Sequence, residues 1–271
     1  MTSPDFDFRD ADLVLRANSP SPLEFRVHKC ILSAASTFFE SMFSLPQAPA
    51  QCESTPVIDV PERASTLELL LRYIYPMRKP KLDDLDVLVL VLEAACKYDV
   101  AVAIDALRAL LLAPHFIDSD PLRVFAIACR FELEEEARLA SRHTLTIKVV
   151  ECPLSDDLRY ISAYQYHRLL DLHRKRAQAA QELIVYSDEF KCMMCNGTHY
   201  GAFLPPKWWK DWQQRARTEL AQRPGTDVIF SVTFLAESAK AGCERCAGSI
   251  LDAHWFLEKL KRDIDALPST I

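Results

Sequence analysis

The chain has 271 residues, 49% of them hydrophobic and 26% charged, with a formal net charge of −6. That length holds one large or two modest domains with ample core, and the acidity disfavours non-specific nucleic-acid binding by the whole chain. Only 5 Gly argue against Gly-rich phosphate loops and a turn-dense all-β fold. Met1 to Arg9 carries two acids and no apolar run, so no signal peptide is expected. The longest apolar region, Val87 to Leu112, is broken by Glu93, Lys97, Asp99, Asp105 and Arg108, which leaves no run of the ~18 residues a membrane span needs. Nine Cys is an odd count, and Cys30, Cys52, Cys96, Cys129 and Cys152 stand singly. With no export signal, reduced thiols in the cytoplasm or nucleus are the expectation.

In chain order, Asp12–Ala17 and Glu24–Val27 read as strands. They are joined through Asn18-Ser19-Pro20-Ser21-Pro22, whose composition predicts a hairpin connection. A helix is predicted from His28 or Lys29, because Ile31, Leu32, Ala35, Phe38, Phe39, Met42 and Phe43 recur at three and four. Leu45-Pro46-Gln47-Ala48-Pro49 ends it, and a polar loop runs to Thr55. Val57–Val60 is a third strand. Ser65-Thr66-Leu67-Glu68 reads as a capping box opening a helix through Tyr75, stopped by Pro76. Val87–Tyr98 and Val102–Leu112 follow as a helical pair. The expected core brings Ile31, Leu32, Phe39, Leu70, Ile74 and Leu92 together under a sheet of about three strands.

This order of elements, with Phe25-Arg26-Val27-His28-Lys29-Cys30-Ile31-Leu32 at its head, resembles the BTB/POZ domain. Leu70-Leu71-Arg72-Tyr73-Ile74-Tyr75 and Ala94-Ala95-Cys96-Lys97-Tyr98 sit where that family has its aromatic-rich and Ala-rich helices. Phe43-Ser44-Leu45-Pro46-Gln47 and the Pro after Tyr75 look most like fungal, basidiomycete-type BTB proteins. The resemblance implies an α+β fold over residues 8–115 and a function in binding other proteins. It also implies a partner pocket lined by Asp12 and Lys29, for which a structural ion pair is the alternative; His28 reads as a hydrogen-bonded core residue. Family members that exchange strands in a homodimer carry an extra strand and helix first. Only about ten residues precede Asp12, which predicts a monomer or weak homodimer. Cullin-binding members often carry an apolar-x-Glu motif in the loop corresponding to Ser44–Ser54, and here that loop holds one acid, Glu53, with Gln51 two residues before it.

Residues 116–188 read as a helical extension whose first hairpin resembles the BACK region that follows many BTB domains. Asp120-Pro121 is an N-cap with Pro at the first helical position, ahead of an apolar face of Leu122, Phe125, Ala126 and Cys129. Leu133, Ala137 and Ala140 stripe a second helix, whose first turn holds Glu134, Glu135 and Glu136. Ser162-Ala163-Tyr164-Gln165 is a capping box opening a helix to about Tyr186. Leu169, Leu172, Ala177, Ala180, Leu183 and Ile184 lie on one face of it, and Arg168, Arg174, Lys175 and Arg176 on the solvated other. From 159 to 224 there are 11 basic and 6 acidic residues, read as a basic helix face rather than a nucleic-acid footprint.

Residues 189–271 hold the chemistry-bearing motif. Cys192-Met193-Met194-Cys195 and Cys243-Glu244-Arg245-Cys246 form two C-x-x-C pairs separated by 47 residues. Four thiolates are the ligand set of a structural zinc site, and Gly197, Gly242 and Gly248 suit the tight turns of such knuckles. His199 is a spare ligand, expected outside a shell that four sulfurs complete. The spacer exceeds the ~15–20 residues of compact ribbons and carries its own helix, Lys207–Leu220, with Trp208, Trp209 and Trp212. Four unlinked thiols and a redox pair remain open at this point. A redox pair needs a thioredoxin-like βαβ context that the sequence lacks. A similar tail of paired C-x-x-C around a Trp-bearing helix is what the fungal BTB resemblance implies. No G-x-S-x-G, P-loop, G-x-G-x-x-G or H-E-x-x-H pattern occurs, so no enzyme is expected. The expected function is protein–protein interaction, with a cullin-type ubiquitin-ligase adaptor or a transcriptional regulator as alternatives.

Overall fold

The computed structural model describes residues 2–17, 22–45, 55–196, 198–199 and 202–271. The predicted hairpin connection, the polar loop with Cys52 and most of the apolar-x-Glu segment, and Gly197 lie outside these residues. The chain divides into two compact units, Met1–Phe116 and Ile117–Ile271.

In the first unit, β1 (Thr2–Asp7), β2 (Leu13–Ala17), β3 (Leu23–Val27) and β4 (Val57–Val60) form a sheet of order β1-β3-β2-β4. β2 and β3 are antiparallel, with Leu15 opposite Phe25, whereas β4 runs parallel to β2 and β1 parallel to β3. The sheet thus has one strand more than the sequence reading. β1 is hard to see in Thr-Ser-Pro-Asp-Phe-Asp because Pro4 and two acids hide any alternation. What holds it is Phe6, fully buried with its ring 5.9 Å from Phe25 and 5.5 Å from Tyr75. An aromatic of that size dominates the energetics of a short strand.

The expected long helix after His28 is two helices, α1 (Lys29–Ala35) and α2 (Thr37–Ser44), hinged at an extended Ser36 (φ −149°, ψ 119°). The Ser36 hydroxyl accepts the Phe39 N–H at 3.1 Å and donates to the Tyr98 carbonyl. Ser competes well for local backbone groups, so α2 gains an N-cap where the helix breaks. The next helix, α3 (Ala64–Ile74), begins one residue before the proposed capping box. Its N-cap is Arg63 without a side-chain bond, and Glu68 instead pairs with Arg72 at 3.1 Å, which also binds Asp5 of β1. α4 (Leu85–Lys97) and α5 (Ala101–Leu111) complete the layer over the sheet. Leu32, Phe39, Leu70 and Leu92 are buried as expected, while Ile31 and Ile74 stay half-exposed. Phe39 stacks on Tyr98 with centroids 5.2 Å apart.

A four-residue helix, α6 (Pro114–Ile117), lies at the boundary. In the second unit, α7 (Pro121–Arg130) opens with the Asp120 side chain accepting the Arg123 N–H at 3.2 Å. It is buried almost all round, so its apolar face is wider than the predicted stripe. α8 (Glu134–His143) carries three acids in its first turn. With few glycines available, Asp99 (φ 49°) and Glu132 (φ 58°) take the left-handed position that ends α4 and α7. Short 3₁₀ turns lead to α9 (Ala163–Leu183), opened by the predicted Ser162–Gln165 capping box. α9 ends three residues earlier than expected. A small antiparallel pair, β5 (Thr198–His199) and β6 (Ala202–Phe203), precedes α10 (Lys207–Gln222), α11 (Val232–Lys240), α12 (Cys246–Asp252) and α13 (His254–Asp265).

One basic residue departs from the expected solvated face. Arg176 is buried, and its guanidinium donates to the carbonyls of Pro224 (3.0 Å), Ile264 (2.9 Å), Leu267 (2.5 Å) and Pro268 (3.0 Å). It gathers carbonyls from the segment after α10 and from the end of α13, tying both to α9. Around α10 a single apolar cluster joins Ala180 and Ile184 to Trp208, Trp209 and Trp212, all three indoles fully buried, and to Leu257, Leu260 and Ile264 of α13.

Candidate functional site

The two C-x-x-C pairs converge. Cys192 and Cys195 follow α9, Cys243 ends the turn after α11, and Cys246 is the first residue of α12. Their sulfurs all lie within 4.8 Å of one another. Cys192 and Cys243 are 3.4 Å apart, Cys195 and Cys246 3.5 Å, Cys243 and Cys246 3.6 Å, and Cys192 and Cys246 3.9 Å. Four sulfurs clustered this closely could hold one tetrahedral metal ion. Cys192 and Cys246 are buried, while Cys195 and Cys243 are half-exposed.

The surroundings suit negative sulfur. The backbone N–H of Lys207 points at Cys195 Sγ at 3.4 Å, and that of Cys243 at Cys246 Sγ at 3.2 Å. The backbone N–H of Trp208 also faces Cys246. Lys207 and Trp208 are the first two residues of the 16-residue α10, so the positive end of that helix faces the sulfurs. Burial works against ionisation at Cys192. The backbone N–H groups of Met194 and Cys195 and the thiols of Cys243 and Cys195 outweigh it, bringing Cys192 down to about 7. Burial pushes Cys195 up to about 12 and Cys246 also upward. Cys192 therefore ionises more readily than Cys195 or Cys246, whose protons a bound cation must displace.

The knuckles are braced from outside. Asn196 Oδ1 accepts the Cys192 N–H at 2.5 Å, and its amide nitrogen donates to the Leu204 carbonyl at 3.0 Å. Ser249 accepts the Trp208 indole N–H and donates to the Lys191 carbonyl, both at 2.9 Å. A Cβ on Gly242 would lie 2.4 Å from Cys246 Sγ, so Gly is required there by the approach of the sulfur. Gly248 has no such role, since it sits inside α12 and a Cβ there meets nothing within 4 Å. The side chain of His199 lies outside the described set. Asn196, Ser249 and the α10 N-terminus were missed from sequence. Only Asn196, one residue past the second Cys, carried a signal, as a residue type that favours turns.

In the first unit the Asp12 carboxylate accepts the backbone N–H of Lys29 at 2.8 Å, capping α1. The Lys29 ammonium lies 6.0 Å from the Phe43 ring centroid. Asp12 thus meets Lys29 through its main chain. His28 is bonded on both ring nitrogens, Nδ1 to the Tyr75 hydroxyl at 3.2 Å and Nε2 to Asp10 at 3.3 Å. The hydrogen bond from His28 holds the Asp10 carboxyl below its ordinary range, and burial pushes the Tyr75 phenol up to about 12.

Residues 7–114 match the family model of the BTB/POZ domain. The first unit carries a BTB/POZ fold. BTB domains are protein–protein interaction modules, and this one is followed by a mostly helical second unit bearing the four clustered cysteines. A search of curated proteins gives no match to the chain. Among the described residues no helix is long and apolar enough to cross a membrane.

Proposed function

We propose that this protein acts by binding a protein partner through its BTB domain, without catalysis, and that zinc held by Cys192, Cys195, Cys243 and Cys246 staples its tail. The family match over residues 7–114 carries the interaction reading. The sulfur spacing supports zinc, because four sulfurs each ~2.3 Å from one ion stand ~3.8 Å apart, against 3.4 to 3.9 Å for four of the pairs here and no pair beyond 4.8 Å. Four thiolates fill a tetrahedron and leave no open position for chemistry, which favours a structural role. In this reading Asp12 and Lys29 mark the partner surface.

Two measurements test it. Elemental analysis of chain purified under reducing conditions is expected to give one zinc per chain, and Cys195→Ser is expected to lose that zinc while the BTB unit stays folded. Zinc-free wild-type chain would refute the metal. For the partner, affinity purification with mass spectrometry is compared between wild type and Lys29→Glu. Loss of a specific co-purifying protein in the variant is expected; an unchanged set would refute this surface.

A further inference from the structure

The four sulfurs are not equivalent, and the way they differ has a chemical consequence. Cys195 and Cys243 are half-exposed, and a shallow depression lined by Ala236, Ala239, Lys240, Gly242 and Ala247 leads to Cys243. Cys192 and Cys246 are 1% and 0% exposed. Each half-exposed sulfur has a buried one as its near neighbour on the opposite knuckle, Cys192 for Cys243 at 3.4 Å and Cys246 for Cys195 at 3.5 Å. An oxidant arriving from solvent therefore meets one sulfur first; for Cys243 the nearer buried sulfur is Cys192 on the other arm, 3.4 Å away against 3.6 Å for Cys246 on its own knuckle.

We propose that the cluster is a hydroperoxide-responsive latch in which oxidation releases the metal and ties the two knuckles covalently as Cys192–Cys243 and Cys195–Cys246. The proposal rests on the zinc reading above. In the first step the thiolate of Cys195 or Cys243 attacks one peroxide oxygen. The O–O bond breaks, the sulfur becomes a sulfenic acid, and the departing hydroxide takes a proton to become water. The buried thiolate then attacks the sulfenic sulfur, the S–O bond breaks, a second water leaves and the S–S bond forms. Two electrons pass from two thiolates to each peroxide, so the four sulfurs consume two equivalents. The zinc leaves as the unchanged dication because its ligands are gone.

The pairing decides what happens to the tail. Bonds within a knuckle would release the metal and let the arms part. Bonds between knuckles close the same 51-residue separation that the metal closed, so the Trp-lined core stays shut. Removing the metal by chelation under reducing conditions has no such replacement. Peroxide and chelator should therefore both free zinc, with opposite effects on the tail.

The test uses full-length chain with Cys30→Ser and Cys96→Ser, which removes two exposed thiols distant in sequence from the cluster. Zinc content is measured first. Hydrogen peroxide is then titrated while a chromophoric chelator reports free zinc. Disulfides are mapped by mass spectrometry, and cleavage within residues 186–271 is timed with a protease. Expected are complete zinc release, Cys192–Cys243 and Cys195–Cys246 linkages, and cleavage about tenfold or more slower than after chelation in reducing buffer. Adding a phosphine reductant and zinc should restore the starting state. Chain that holds no zinc at the outset removes the metal reading and this proposal with it. Zinc-loaded chain that forms Cys192–Cys195 and Cys243–Cys246, keeps its zinc, or opens as fast as chelated chain overturns the proposal alone.

Discussion

Replacing Gly242 by Ala is the smallest change expected to disable the cysteine cluster. The added methyl would lie 2.4 Å from Cys246 Sγ and 2.7 Å from Cys246 Cβ, whereas non-bonded carbon and sulfur settle at ~3.5 Å or more. The sulfur would have to retreat by about 1 Å, while metal sites tolerate about 0.2 Å. The opposite route is also blocked, because the Ala239 carbonyl stands 3.2 Å from the same methyl. Zinc affinity should fall about a hundredfold, at the top of the range for changes outside the ligands themselves, or about 2.7 kcal/mol. Gly248→Ala is the matched control: the same methyl is added two residues after Cys246, inside α12, and it meets nothing within 4 Å. There Ala should stabilise by about 0.5–1 kcal/mol, because Gly loses more freedom in a helix. Competition with a chromophoric chelator in reducing buffer measures affinity, and Trp fluorescence on heating measures the tail. If Gly242→Ala holds zinc within about threefold of wild type, under 1 kcal/mol, the close approach argued for Gly242 is wrong.

The remaining expectations concern stability. Arg176→Met keeps the apolar stem but leaves the Pro224 carbonyl without the buried guanidinium that donates to it, whereas the Ile264 carbonyl still accepts the Leu267 N–H at 3.1 Å; at about 1–3 kcal/mol for one such stranded group, urea unfolding of the second unit should lose about 1–3 kcal/mol, and a loss under 0.5 would remove the clamp. Burial lowers His173 from 6.5 to about 4, and its Nε2 meets the Thr144 hydroxyl at 2.9 Å. The folded state therefore holds the ring neutral while the unfolded chain takes a proton below pH 6.5. The stabilisation is present above pH 6.5 and fades as pH falls toward 4, by about 3 kcal/mol in all. Wild type minus His173→Gln, measured across that range so that the thiols' own protonation cancels, should show this slope; a flat difference would refute it. Asp12→Ala should cost the BTB unit about 1 kcal/mol and Asp12→Asn less, since the carboxylate caps the Lys29 N–H. Equal stability of all three would mean that the cap contributes nothing.

The sequence was readable where a local rule and the tertiary contact agree. Asp120-Pro121 and Ser162-x-x-Gln165 start α7 and α9 because their side chains can bond within one turn, whatever packs outside. It misled where two rules competed. Ser65-x-x-Glu68 has the spelling of a capping box, but Glu68 is drawn to Arg72, and the helix starts earlier. The apolar period through Ile31 and Phe43 runs on across Ser36, yet the Tyr98 carbonyl, 62 residues away, offers that hydroxyl a partner and the helix bends. Arg176 shares a helix with exposed Arg174 and Lys175, and nothing in its spacing distinguishes it; the carbonyls it serves lie 48 to 92 residues downstream. The C-x-x-C pairs were readable as chemistry, since four thiols at knuckle spacing have few other uses. Their convergence over so long a spacer was set by packing around α10, which no spacing rule contains.

That packing also explains why a staple is placed there. Phe190, two residues before the first knuckle, and Phe256, ten residues after the second, have ring centroids 5.0 Å apart, and both flank Trp209. Trp209 is therefore covered from both arms at once. The arms are separated in sequence by 51 residues between Cys192 and Cys243, and closing a loop of that length costs the unlinked chain about 4 kcal/mol of entropy. A cross-link at the mouth of the loop removes that cost from the folding of the tail. A metal held as proposed would do so reversibly, with four ligands drawn equally from the two arms, so neither arm could leave without breaking two bonds. The proposed staple therefore acts on the step that brings Phe190 and Phe256 onto Trp209, and its loss should be felt in the whole tail core rather than in the knuckles alone.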